Sequence, residues 1–326
     1  MNQENKRNID ELVRIGGDNI TGIIVWKDGV KCYEDYYHGF AAADAVHMFS
    51  VTKSIFSALI GIAIDKGYIS SADQKVLDFF PDYVITGGRD GIRDVTIKHL
   101  LTMTASYIYE TEPYAEFFSS ENWVKKALDL LAGVKPSGES MYSPIIGAHI
   151  LGGVLSAATK RTVLDFAMEH LFIPLGIDPV GQVVFHSAEE QMAYYEKGRH
   201  QRSWVADPQG INTASWGLAL TPADMAAIGQ LYLDDGIREG RRILSSDWIE
   251  MSLRKHAVWN DLSYGYLWWV IDEEEQIYAA IGDGGNVIYL NRKKKMVITI
   301  AALFKPDVFD RVDLIREHLE PLFEAE

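Results

Sequence analysis

The sequence predicts an α/β protein of the α+β kind, with one antiparallel sheet flanked by helices and an all-α lobe inserted into it. Both chain ends carry β-branched, strand-like runs, while the middle is dominated by helix-spaced apolar positions. No linker composition, low-complexity tract or internal repeat separates the two kinds of segment. The simplest arrangement pairs the first and last strands in one sheet. Residues 1–326 are then one domain, with an α/β lobe from 1–66 plus 262–326 and a mainly helical lobe from 67–261.

Taken in order, "ITGIIVW" (20–26), the turn "KDG" (27–29) and a second strand pattern at 30–37 read as a hairpin. From Ser50 to Lys66 apolar residues fill most positions, too many for a surface helix, so this helix is expected to be buried nearly all round, with Gly67 closing it. Helices are expected at 95–106, 120–133, 145–159, 162–176, 221–236 and 245–255, each with Pro, Gly, Ser or Thr near its boundaries. After about residue 262 strands return in "YGYLWWVI", "YAAIG", "GNVIYLN" and "MVITIAAL", and a last helix is expected at 308–325.

A chain of 326 residues with 48% hydrophobic and 24% charged residues is long enough, and apolar enough, to bury a sizeable core. The net charge of −15 argues against nucleic acid and against anionic membrane surfaces as partners. The basic run "RKKK" (292–295) reads as a hairpin turn rather than a binding patch. Cys32 stands alone, so no internal disulfide forms, and this suits a reducing compartment. The polar start shows no apolar core of the signal-peptide type, and no run approaches the roughly 18 apolar residues of a membrane span. A cytoplasmic protein is expected.

Chemistry concentrates at "FSVTKSIF" (49–56), where Ser50 and Lys53 open the apolar helix. Residues three apart share a helix face, and a helix N-terminus offers free N–H groups and a positive dipole end to an oxyanion. The spacing alone is weak, because Ser252 and Lys255 repeat it at what reads as the solvated end of an amphipathic helix. Two readings of Ser50 stay open from the residues alone: an N-cap beside a snorkelling lysine, or a nucleophile beside its base. An unperturbed lysine is deprotonated only about one part in 2,500 at pH 7, so the second reading needs desolvation or a proton relay. Tyr142, in the Pro- and Gly-bearing loop of "KPSGESMYSPIIGAHILGG", is the relay candidate, with a packing role as its alternative. There is no Gly-x-Ser-x-Gly elbow and no HExxH or other metal spacing, and "GDGG" (282–285) precedes strands rather than the helix a dinucleotide loop requires.

Together these residues resemble the serine β-lactamase and penicillin-binding-protein superfamily, in its class C-like branch of esterases, amidases and D-amino-acid peptidases. The nucleophile helix from Phe49, "VTIKHLLTMTAS", the tyrosine motif, "GLALTPADMAAIGQLYLDDGIREGRRILSSDWIE" and "YGYLWWV" with "IGDGGNVIYLN" follow the family's order over nearly the whole chain. The resemblance implies a β-lactamase/transpeptidase-like fold and acyl transfer without metal or cofactor. It makes Ser50 the nucleophile, with Lys53 and Tyr142 handling protons, and the backbone N–H groups of Ser50 and Asn286 forming the oxyanion hole. Asp283, Gly284, Gly285 and Pro144 are then expected at the substrate.

Two departures bear on the substrate. Where lactamase-like members read Tyr-x-Asn, this chain has Tyr142-Ser143-Pro144, and where a lysine or histidine opens the third motif it has Asp283. A cation there attracts carboxylate substrates, whereas an aspartate repels them. The expectation is an esterase or amidase acting on a small uncharged or cationic substrate. A true β-lactamase or penicillin-binding peptidase acting on a β-lactam-like substrate, and a catalytically silent binding homologue, are the alternatives.

Overall fold

A computed structural model describes residues 3–86, 90–134 and 142–324. The mixed α/β fold is centred on an eight-stranded antiparallel sheet. In spatial order its strands are Ala257–Trp259, Leu262–Tyr264, Trp269–Asp272, Ile277–Gly282, Asn286–Asn291, Met296–Ala302, Ile20–Lys27 and Val30–Tyr36. First and last strands do pair, with Ile24 opposite Thr299 and Thr299 in turn opposite Ile288. The first hairpin turns at Asp28 and Gly29, both at positive φ (50° and 74°), the conformation its Asp-Gly pair favours. "RKKK" is the turn between Asn286–Asn291 and Met296–Ala302, and Arg292 is paired there with Asp235 and Glu250.

Strand alternation sends side chains to two cores. Val287, Tyr289, Ile298 and Ile300 face a smaller core with Ile9 and Val13 of helix Gln3–Gly16 and Ile315 and Leu319 near the C-terminus. Ile288, Leu290 and Val297 face the larger core, shared with helices Val51–Asp65 and Pro222–Leu233. Gly229 permits this close approach, since a Cβ there would lie 2.6 Å from Val297 and 2.9 Å from Ile288. The helical part of the larger core is organised around Ile146–Thr159, buried along nearly its whole length. A second sheet, in the order Val46–His47, Leu218–Leu220, Ser203–Ala206 and Gly181–Val184, leads directly into the Ser50 turn.

Several expectations are corrected. Helix 95–106 shrinks to Ile97–Leu101, because Met103 at φ 60° turns the chain into strand Ala105–Tyr107, which pairs with Leu131–Val134. That pairing also shortens helix 120–133 to Trp123–Leu130. "YGYLWWVI" is broken between 264 and 269 by a turn in which Leu267 has φ 61°. The large sheet begins at Ala257, earlier than the expected boundary at 262. The helix over 162–176 contains a π-helical turn, Met168–Phe172. Helix Gln3–Gly16 and the second sheet were not expected. Ser252 is buried, with its hydroxyl donating to the Ile249 carbonyl 3.0 Å away, so it is a satisfied core serine rather than a solvated one. Residues 135–141 of the tyrosine motif and residue 325 of the last expected helix lie outside the described residues.

Candidate active site

The site begins with a strained turn. Phe49 adopts φ 48°, an uncommon conformation for a bulky residue, and its ring packs on His47 (centroids 4.1 Å apart) and Phe304 (5.5 Å). This turn delivers Ser50 half-buried at the head of helix Val51–Asp65, in which every residue from Val51 to Ala63 is buried. Ser50 makes no side-chain capping bond. Its Oγ instead accepts a 2.7 Å hydrogen bond from Lys53 Nζ, which also donates to the Ser215 carbonyl at 3.2 Å. Ser50 thus holds the N-cap position without capping the helix through its hydroxyl.

Lys53 is 3% exposed. Burial pushes its pKa down to about 8, against an opposing pull from Asp283 and Glu112. At pH 7 roughly one lysine in ten would then be neutral, a few-hundredfold gain over an exposed lysine. Tyr142 packs its ring among Trp259, Tyr264 and Trp269, at centroid distances of 5.5, 6.2 and 6.2 Å. Its hydroxyl interacts with the Tyr264 hydroxyl, and burial raises its pKa to about 12.

Ser50, Lys53, Tyr142, Pro144, Asp283, Gly284 and Gly285 are brought together on the wall of one cavity of about 760 Å³. The exposed Asp283 carboxylate has no ion-pair partner among the described residues. Asn286 is not on that wall. Its side chain is buried as a brace, with Nδ2 donating to the carbonyls of Asp283 (2.9 Å) and Ala302 (3.0 Å) and Oδ1 accepting from the Ala302 amide (2.9 Å). Gly282 packs closely against the Ser50 turn, where a Cβ would sit 2.2 Å from the Met48 carbonyl oxygen and 3.1 Å from the Ser50 amide nitrogen.

Sequence reasoning also missed Glu112. Its buried carboxylate accepts hydrogen bonds from Ser143 Oγ (2.6 Å), the Ile145 and Ile146 amides (3.1 and 2.7 Å) and Tyr114 Oη (2.7 Å). It thus occupies the N-terminus of helix Ile146–Thr159, where a negative charge is favoured, and fixes the residues just after Tyr142. Little in the local sequence around Glu112 marks it, since apart from Tyr114 its partners are 31 to 34 residues away.

Fold and site together define a cleft beside the end of a central sheet strand, with a serine–lysine pair on a buried helix. The chain belongs to the Beta-lactamase family, whose model matches residues 6–320. It is similar to the 6-aminohexanoate-dimer hydrolase of Paenarthrobacter ureafaciens, at 21% identity over 304 residues, 86% of this chain and 72% of that one. Among solved structures it is similar to a penicillin-binding-protein homologue from Caulobacter crescentus, with TM-score 0.74, 16% identity and coverage of 98% and 96% of the two chains. It is also similar to a family VIII carboxylesterase, with TM-score 0.71, 16% identity and coverage of 97% and 96%. The expected β-lactamase/transpeptidase-like fold is thereby established, in a family that includes amide and ester hydrolases.

The hub at Glu112 generates a prediction. Glu112→Ala strands a buried hydroxyl and two amides, and is expected to cost about 3 kcal/mol in urea unfolding. Glu112→Gln, which keeps acceptor capacity for part of the set, is expected to cost less than half of that.

Proposed function

We propose that this protein is a serine hydrolase that cleaves an ester or amide of a small molecule through an acyl-enzyme on Ser50. The observation that carries this reading is the 2.7 Å contact between Ser50 Oγ and a lysine whose burial holds its pKa near 8. A neutral Lys53 takes the Ser50 proton as Oγ attacks the substrate carbonyl carbon. The oxyanion is held by the backbone N–H of Ser50 and, in place of Asn286, that of Asp283, which follows the glycine packed against the Ser50 amide. Collapse breaks the bond to the leaving oxygen or nitrogen, which receives the proton from Lys53 through Tyr142. Water then attacks the acyl-enzyme carbonyl, with Lys53 accepting its proton and returning one to Ser50.

Lys53 is the primary base in this scheme. It already bonds Ser50, whereas Tyr142 is held in its protonated form and is engaged with Tyr264. The names of an amide hydrolase and a carboxylesterase among similar proteins support the reaction class. The single Cys32 supports a reducing, cytoplasmic setting.

Labelling with a fluorophosphonate followed by peptide mapping tests the nucleophile. The adduct is expected on Ser50 and should vanish in Ser50→Ala, and a label on another serine would overturn the assignment.

The lysine makes a second prediction with a definite sign. Because its free base is the active form, kcat/KM should rise with pH along one limb with an apparent pKa near 8 and then level. Tyr142, at about 12, stays protonated throughout that range. Lys53→Met should lower kcat/KM about a thousandfold and remove the limb, and a limb that persisted in that variant would assign the base elsewhere.

A further inference from the structure

The turn Asp283–Gly285 links strands Ile277–Gly282 and Asn286–Asn291, with Gly284 and Gly285 at φ 76° and 87°. Asn286 ties the Asp283 carbonyl. Asn19, in the turn before strand Ile20–Lys27, ties the next one. Its Nδ2 donates to the Gly284 and Leu303 carbonyls, both at 2.7 Å, and its own carbonyl accepts from the Leu303 amide at 2.9 Å. Its Oδ1 accepts from Arg311 Nη2 at 2.8 Å. Both side chains are buried. A guanidinium only donates and a carbonyl only accepts, so the group between them must accept on one side and donate on the other. A carboxamide does both, whereas an aspartate would turn an acceptor toward two carbonyl oxygens. The Arg311 stem presses on the same turn, since a Cβ on Gly285 would lie 2.7 Å from its Cγ. Ser50 is on the walls of two cavities: the one described above, and an aromatic one of about 660 Å³ walled by Phe49, Phe118, Tyr195, Trp216 and Phe304. Asn19 lines neither.

We infer that Asn19, oriented by Arg311, is a positioning residue for acyl transfer: it holds the turn Asp283–Gly285 so that the Asp283 N–H stays aimed at the oxyanion. The inference deepens the Ser50 reading above and rests on it. As Ser50 Oγ bonds the carbonyl carbon, the C=O π pair moves onto oxygen, and a donor stabilises that charge only if it is aimed where the charge develops. With the Asp283 and Gly284 carbonyls both tied, the peptide planes that follow the Asp283 N–H are kept from swinging away from the Ser50 turn. Asn19 does this from outside both cavities, so its effect on the reaction passes through the turn rather than through contact with substrate.

The test uses the full chain with nitrophenyl hexanoate and its thiono analogue, in which sulfur replaces the carbonyl oxygen. Sulfur is a larger and weaker acceptor, so the thiono ester draws less from aimed N–H donors. Removing one oxyanion donor outright costs roughly 100- to 1,000-fold in kcat. A donor misaimed by Asn19→Leu is expected to cost about thirtyfold in kcat for the oxo ester, with KM changing less than about threefold. The oxo-to-thiono ratio of kcat/KM should fall about tenfold. This ratio is internal to each variant, so loss of folded enzyme cancels from it. Arg311→Met keeps a stem against Gly285 while removing the bond to Asn19, and should lower the same ratio by a smaller factor. The double variant should resemble Asn19→Leu alone, because Arg311 acts through Asn19. Where Asn19→Leu yields no folded enzyme, the ratio in Arg311→Met decides alone. An unchanged ratio, whether or not activity falls, or effects of the two substitutions that multiply, would overturn the inference while Ser50-dependent turnover stood. Absence of Ser50-dependent turnover of the oxo ester would overturn the Ser50 reading and this inference together.

Discussion

A lysine taken out of water is the interaction on which the site depends. Lys53 is enclosed by a helix whose first thirteen residues, Val51 to Ala63, are buried, and it has two protein acceptors, Ser50 Oγ and the Ser215 carbonyl. A charged ammonium in such a place is penalised, so the amine loses its proton more readily. The same burial that makes the helix a poor surface element favours the neutral amine of Lys53. The apolar sequence from Val51 onward thus sets the packing and the protonation equilibrium together.

The second constraint is the approach of strand Ile277–Gly282 to the turn at Met48–Ser50. With a Cβ at Gly282 only 2.2 Å from the Met48 carbonyl oxygen, any other residue would force the strand end and the helix start apart. Asn286 secures the turn beyond it by bonding Asp283 and Ala302, so the strand end is fixed from both sides. Glu112 does the corresponding work across the cleft, holding Ser143 and the start of helix Ile146–Thr159. Ser50, Tyr142 and the end of strand Ile277–Gly282 come from distant parts of the chain, and these polar anchors bring them into register.

The parts of this arrangement legible in the sequence were those written locally. Ser50 and Lys53 are three apart on one helix, the hairpin announces itself through Asp28-Gly29, and the closing strands show β-branched runs. The glycine against the Ser50 turn was not legible, because Gly282, Gly284 and Gly285 look alike until their neighbours are known. Glu112 and the aromatic cavity were hidden for the same reason, their members being scattered from Phe49 to Phe304. Helix lengths at 95–106 and 120–133 were overestimated because a short cross-strand pairing captured Ala105–Tyr107 and Leu131–Val134, and apolar periodicity over a few residues does not separate the two states. Ser252 misled in the opposite sense, since a serine that bonds the carbonyl three residues back can be buried at no great cost.

Base strength and charge selection also meet at one residue. Desolvation alone would push Lys53 lower than the value near 8 that it reaches, because Asp283 and Glu112 both act to keep it protonated. A base is most useful when its pKa lies close to the working pH: a much weaker base would be free of its proton but reluctant to take one from serine. The two carboxylates therefore hold the lysine nearer to that range than burial would leave it. Glu112 is buried and spends its hydrogen-bonding capacity on the protein, so its influence on Lys53 is fixed by the fold. Asp283 is exposed on the wall of both cavities, where a substrate can alter its field. Asp283 thus sets the charge on the cavity wall and, through its field, the proton affinity of Lys53 together.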